Sequence, residues 1–171
     1  MIFYVDGACS GNGSDHATGA FGVIGIDPIW NINLFDHYEY SENTTNNREE
    51  LKAIFYVMRN FGGPPNVASD WDRIEHTVYS DSAYAVNTFT DWMFRWARND
   101  WKKSDGKIPE NLDIIQAYYE LYQKGYRIDL QKVKGHAKGE TWNNQADKLA
   151  RTGTYDYILE DKYLIKDRNI E

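Results

Sequence analysis

The chain has 171 residues, enough for one domain with a sizeable core, and its 42% hydrophobic and 15% aromatic content excludes a disordered chain. The single cysteine, Cys9, excludes an intrachain disulfide and fits a reducing, cytosolic compartment, while the absence of a secretory leader pattern or an 18-residue apolar run argues against a signal peptide or a membrane span. The net charge of −7 argues against a nucleic-acid partner when the surface is taken as a whole, because phosphate contacts need Lys and Arg.

Residues 2–6 read as a short buried strand ending at Asp6, followed by the turn-rich loop GNGSDHATG. AFGVIGI (20–26) reads as a second strand and IWNINLFDHYEY (29–40) as a third, with period-two alternation at Ile32 and Leu34. Asp27-Pro28 suits the hairpin turn between them, so the three strands form an antiparallel meander. NREELKAIFYVMRNF (47–61) is a helix, since Leu51, Ile54, Phe55 and Met58 recur at i, i+3, i+4 and i+7. Asn46 or Asn47 caps its start, and Gly62-Gly63-Pro64-Pro65 ends it. EHTVYSD (75–81) is the fourth strand, with a short helix from Ser82. Residues 92–101 and 111–124 are helical, 126–133 is the fifth strand, and 143–152 is a helix that stops at Gly153. This order predicts an α/β fold, a five-stranded mixed sheet flanked by helices. The domain spans 1–153, and residues 154–171 form a C-terminal extension of unknown role.

Four carboxylates stand out: Asp6 in YVDGACSGNG, Glu50 in TTNNREELKA, Asp81 in VYSDSAYAV and Asp147 in NNQADKLA. They lie tens of residues apart, so only folding can gather them. Like charges held close repel and raise each other's pKa, and a fold tolerates such a cluster when hard divalent cations neutralise it. The set therefore points to metal-dependent phosphoryl transfer. Each acid also has an ordinary reading. Asp6 before Gly7 suits a turn, Glu50 or Glu49 suits a helix N-terminus, Asp81 suits a cap for the helix from Ser82, and Asp147 suits a solvated helix face. Against the acidic total, residues 92–107 hold Arg95, Arg98, Lys102, Lys103 and Lys107 but only Asp100 and Asp105. This surplus is interleaved with Trp92, Trp96 and Trp101.

With these motifs the chain resembles a type 1 ribonuclease H over residues 1–152. The resemblance is carried by DGACSGN, TTNNREEL, SDSAYAV, VKGHAKG and NNQADKLA, in that order on this topology. It implies hydrolysis of the RNA strand of an RNA/DNA hybrid by two-metal-ion catalysis, leaving 5′-phosphate and 3′-hydroxyl ends. Asp6, Glu50, Asp81 and Asp147 would hold two Mg²⁺ ions, with Mn²⁺ as a substitute. The family pattern selects Glu50 over Glu49 and makes Asp81 the ligand expected to touch both ions. His136, in KGHAKGE, would ferry a proton or assist product departure.

The implied substrate contacts are Cys9, Asn12, Thr45, Asn46 and Asn47 on the cleft, and Trp92, Arg95, Lys102 and Lys103 on the basic segment. Asn46 and Asn47 carry both donors and acceptors, as reading a ribose 2′-hydroxyl beside a base edge requires, although helix capping would use them equally well. Trp92 would stack on the DNA strand, with Trp96 in the core between helices. Ala83 stands where the family often carries a polar residue, and the loops SDHATG and GETWNN are longer than usual. The expected enzyme is a cytoplasmic monomer with no membrane partner. A non-catalytic hybrid-binding module and a related DNA nuclease of the same fold are the alternatives.

Overall fold

The computed structural model describes residues 1–12, 15–63, 76–135 and 141–153. Five strands make one sheet: β1 (Ile2–Ser10), β2 (Thr18–Ile26), β3 (Asn33–Glu42), β4 (Thr77–Ser80) and β5 (Asp129–Lys132), in the spatial order β3-β2-β1-β4-β5. β1, β2 and β3 pair antiparallel as the predicted meander, while β4 joins β1, and β5 joins β4, in parallel. The helices are α1 (Asn46–Phe61), α2 (Ala83–Asn87), α3 (Met93–Ala97), α4 (Leu112–Gln123) and α5 over 142–153, with a π-helical turn Thr88–Trp92 joining α2 to α3. The fold is the predicted mixed α/β sheet. None of these helices is long and apolar enough to cross a membrane.

Several predicted boundaries move, each for a tertiary reason. β1 does not stop at Asp6 but continues to Ser10, because Gly7 through Ser10 pair with Phe21 through Thr18 of β2. A waiting partner strand overrides the turn preference of Asp-Gly. β3 starts four residues late. Asp27 Oδ1 accepts from the Ile29 and Trp30 amides at 2.8 and 2.9 Å, and Asn31 takes φ 51°, so residues 27–32 are a turn. Ile29, Trp30 and Ile32 are exposed. Thr45, rather than Asn46 or Asn47, caps α1 by accepting from the Arg48 amide at 3.1 Å. Ser82, rather than Asp81, caps α2 by accepting from the Ala85 amide at 3.1 Å. The expected helix 92–101 is α3 followed by turns, with Asp100 and Trp101 at positive φ.

Alternation along β1 divides the core. Phe3 and Val5 pack with Leu51, Ile54 and Ile115 on one face, while Ile2 and Tyr4 pack with Ile24, Ile26, Trp142 and Leu149 on the face that α5 covers. Asp6 continues the second series and so points toward α5. The parallel register, Ile2↔Thr77 through Val5↔Ser80, ends just before Asp6 and Asp81. Asp6, within β1, and Asp81, just past β4, therefore come side by side at the carboxyl end of β4, where open α/β sheets keep their sites.

Candidate active site

Three of the predicted acids meet. Asp6, Glu50 and Asp81 each offer a carboxylate oxygen, and these atoms lie within 4.8 Å of one another. Glu50 and Asp147 both lie close enough to Asp6 to raise its pKa, so the fourth acid adjoins the same cluster. Each is delivered by a different element: Asp6 by the central strand, Glu50 by the first turn of α1, Asp81 by the end of β4, and Asp147 by α5. α5 can lie close enough because it crosses β2 at Gly22, the residue paired with Asp6. A Cβ on Gly22 would sit 2.8 Å from the Ala146 carbonyl oxygen.

Asp6 and Glu50 are buried, at 4% and 7% exposure. Burial raises the pKa of both carboxyls, and the charges of neighbouring acids, Asp81 for each of them, push in the same direction. The Gly7 amide and the hydrogen bond from Asp6 offset part of this at Glu50. Glu50 Oε2 is buried with no hydrogen-bond partner among the described residues. A buried acceptor left unpaired is costly unless something else meets it. Oxygen-only donors at this spacing, with one orphaned buried oxygen, fit a hard divalent cation.

The acids floor a cleft of about 920 Å³ that Cys9, Asn46 and Asn47 also line. Asn12 is not among the lining residues but reaches one of them, its Oδ1 accepting from the Asn46 amide at 3.3 Å. Thr45 is committed to the α1 cap. His136 lies outside the described residues, though Gly135, immediately before it, lines the cleft and lies tightly against Asp81, where a Cβ would sit 2.6 Å from Oδ2.

The basic segment is a separate groove of about 470 Å³, lined by Trp92, Arg95, Trp96, Asn99, Lys102 and Lys103. Trp96 is half-buried at the margin of the core rather than inside it, and Trp92 packs against Trp96 and edge-on to Tyr84. Arg95 pairs with Asp91 at 2.9 Å, so part of the groove's charge is already met.

Sequence reading missed two residues beside the acids. Arg151 lines the cleft and its Nη2 lies 2.5 Å from Asp147 Oδ2. Its position one helical turn after Asp147 was the available signal. Glu49 is fully buried next to Glu50 and was legible only as an ordinary first-turn acid.

A central acid on β1, a second just past β4, a third on α1 and a fourth on α5 describe the ribonuclease H class of fold. Residues 1–155 match the RNase H family. The chain is 39% identical to the ribonuclease H of Chlorobium luteolum over 88% of its own length and 92% of that protein's. It is 35% identical to the ribonuclease HI of Haemophilus influenzae over 96% of both chains. The crystal structure of LC9-RNase H1, a type 1 RNase H with the type 2 active-site motif, superposes with a TM-score of 0.68 at 28% identity, covering 91% of this chain and 72% of that one. The RNase H domain of prototype foamy virus shares the fold, with a TM-score of 0.70 over 90% of this chain and 93% of the domain, at 22% identity. The chain belongs to the ribonuclease H family, as its five motifs anticipated.

Proposed function

We propose that the protein is an endonuclease that hydrolyses the RNA strand of RNA/DNA hybrids and leaves 5′-phosphate and 3′-hydroxyl ends. The observation that carries this reading is the convergence of Asp6, Glu50 and Asp81, with Asp147 beside them, on an open cleft. A binding module has no need of buried acids that repel one another and an anionic ligand. Family membership supports the substrate class, and LC11-RNase H1, a fold neighbour, has been crystallised with an RNA/DNA hybrid.

Asp6, Glu50, Asp81 and Asp147 hold two Mg²⁺ ions, and Mn²⁺ substitutes. Such ions, when bound, neutralise the acids and stabilise the attacking and leaving oxygens of an in-line displacement at phosphorus. The chain's own residues do the rest. Burial of Asp6 and Glu50 fixes the ligand oxygens in place, and no covalent protein nucleophile is needed. His136 moves a proton or eases product departure. Asn46 and Asn47 read the ribose 2′-hydroxyl, Cys9, Asn12 and Thr45 line the approach of the backbone, and Arg95, Lys102 and Lys103 hold phosphates while Trp92 stacks on the DNA strand. Residues 1–153 form the catalytic domain and 154–171 a C-terminal extension. The enzyme works as a monomer in the cytoplasm.

The test is incubation of the full chain with end-labelled hybrid, single-stranded RNA, duplex RNA and duplex DNA, in Mg²⁺ and in EDTA. Cleavage confined to the hybrid and to Mg²⁺ is expected, with product 5′ ends sensitive to phosphatase. Asp81→Asn should lower turnover by about 10³-fold or more while sparing hybrid binding. Binding without cleavage would favour the non-catalytic module instead, and cleavage of duplex DNA the DNA nuclease.

A further inference from the structure

Glu49 has no part in the chemistry above, yet it is 0% exposed, one residue from a proposed metal ligand. Its Oε1 accepts from Thr44 Oγ1 at 2.7 Å and pairs with Lys52 Nζ at 3.4 Å, and Lys52 also bonds Ser41 Oγ on β3. Its Oε2 is buried with no hydrogen-bond partner among the described residues. Replacing a buried ion pair by well-packed apolar residues is often neutral or stabilising, so this carboxylate is weakly explained by stability alone.

What it holds is the turn that leads into the cleft. Thr44 is buried, its amide donates to the Ala17 carbonyl at 3.3 Å, and its carbonyl accepts from Cys9 Sγ at 3.7 Å. Asn43, just before it, is in the left-handed region at φ 49°. Thr45, just after it, caps α1, and exposed Asn46 and Asn47 follow on the cleft wall. Through Thr44 on one side and Lys52–Ser41 on the other, Glu49 ties β3, the turn and the first turn of α1 into one unit. Its methylenes fit against Gly7 and Gly19, either of whose added Cβ would lie 3.0 Å from them.

We propose that Glu49 is a positioning residue for hybrid recognition, whose carboxylate, held by Thr44 and Lys52, sets turn 43–45 so that Asn46 and Asn47 meet the ribose edge of the RNA strand. The inference rests on the proposed reading of this cleft as an RNA/DNA hybrid site. It predicts a loss that depends on the 2′-hydroxyl, whereas a merely structural role would weaken every duplex alike.

The experiment compares Glu49→Met and Glu49→Gln in the full chain carrying Asp81→Asn, measuring affinity for an RNA/DNA hybrid and for a DNA duplex of the same sequence. Glu49→Met should weaken hybrid binding about 10-fold and leave the DNA duplex within about twofold, the size expected for one hydrogen bond to a charged group. Glu49→Gln keeps an acceptor for Thr44 and should recover most of the loss. In the active enzyme, Glu49→Met should raise KM about 10-fold with kcat within about threefold. If Glu49→Met does not fold, Thr44→Val removes the same bond from its other end and should give the same selective loss. Where both variants fold, their effects should not add. Equal losses on both duplexes, or no loss, in a background whose parent cleaves hybrids would overturn this inference alone. A parent protein that leaves hybrids intact would overturn the proposed function, and the inference with it.

Discussion

A Cβ added to Gly7 would lie 2.6 Å from the Glu50 amide nitrogen and 2.8 Å from the Glu49 carbonyl carbon. The first turn of α1 thus rests directly on the central strand, and Glu50 reaches Asp6 because the residue beside Asp6 has no side chain. The atoms in the way are backbone, which cannot swing aside as a flexible side chain would. Gly7→Ala should therefore push α1 off β1, at a cost of about 1–3 kcal/mol for overpacking, and separate the two carboxylates. Denaturant unfolding and Mg²⁺ titration of the same variant check this. Weakened Mg²⁺ binding is expected even at temperatures where the fold persists, and wild-type affinity for the ion would refute the contact's role.

The acid cluster also sets the pH dependence of stability. Asp6 and Glu50 have raised folded-state pKa values, chiefly through burial. Between the ordinary carboxylate range, about 4, and those raised values the folded chain binds more protons than the unfolded chain. The contribution of these two groups to stability is thus fully present below about pH 4 and is lost as pH rises through their folded values. In EDTA, Tm should fall from pH 5 toward pH 9 more steeply for the wild type than for Asp6→Asn. Mg²⁺ should raise Tm, and by more at pH 9 than at pH 5, because binding no longer has to displace protons. A Mg²⁺ effect independent of pH would mean that these acids are not its ligands.

His136→Ala should slow turnover by about 10²-fold, the lower end for a positioned proton-transfer group, without abolishing it. The measurement is kcat on a hybrid across pH 6–9. A variant equal to wild type throughout that range would leave His136 an ordinary loop residue, and one as inactive as Asp81→Asn would make it more than a helper.

Replacing Arg95, Lys102 and Lys103 together by Glu should raise KM far more than it lowers kcat, since these groups would bind ground and transition states alike. The salt dependence of hybrid binding should flatten by fewer than three log-log units, since each neutralised phosphate contributes about 0.9 on B-form duplex and Arg95 already shares its charge with Asp91. Affinity of the Asp81→Asn protein, titrated over salt with and without the triple change, reads this directly. An unaltered slope would place hybrid binding on the acid cleft alone.

Much of this molecule was legible before folding was considered. Strand and helix types followed from apolar spacing such as Leu51, Ile54, Phe55 and Met58, and the family followed from five short motifs in order. These are local properties, carried by neighbours in the chain. What local sequence could not rank was decided by partners distant in the chain. Asp-Gly at 6–7 is a good turn in isolation, but β2 pairs through it and makes it strand. Asn46, Asn47 and Asp81 are good caps, but Thr45 and Ser82 take those places, leaving the asparagines on the cleft wall and Asp81 for the acid cluster. Glu49 and Glu50 look alike in the sequence. The packing of α1 on Gly7 and Gly19 buries one carboxylate beside Thr44 and Lys52 and gives the other to Asp6. Residue type and periodicity are written along the chain, whereas burial and proximity, which set the charge and chemistry of a carboxylate, exist only once the sheet and helices have closed around it.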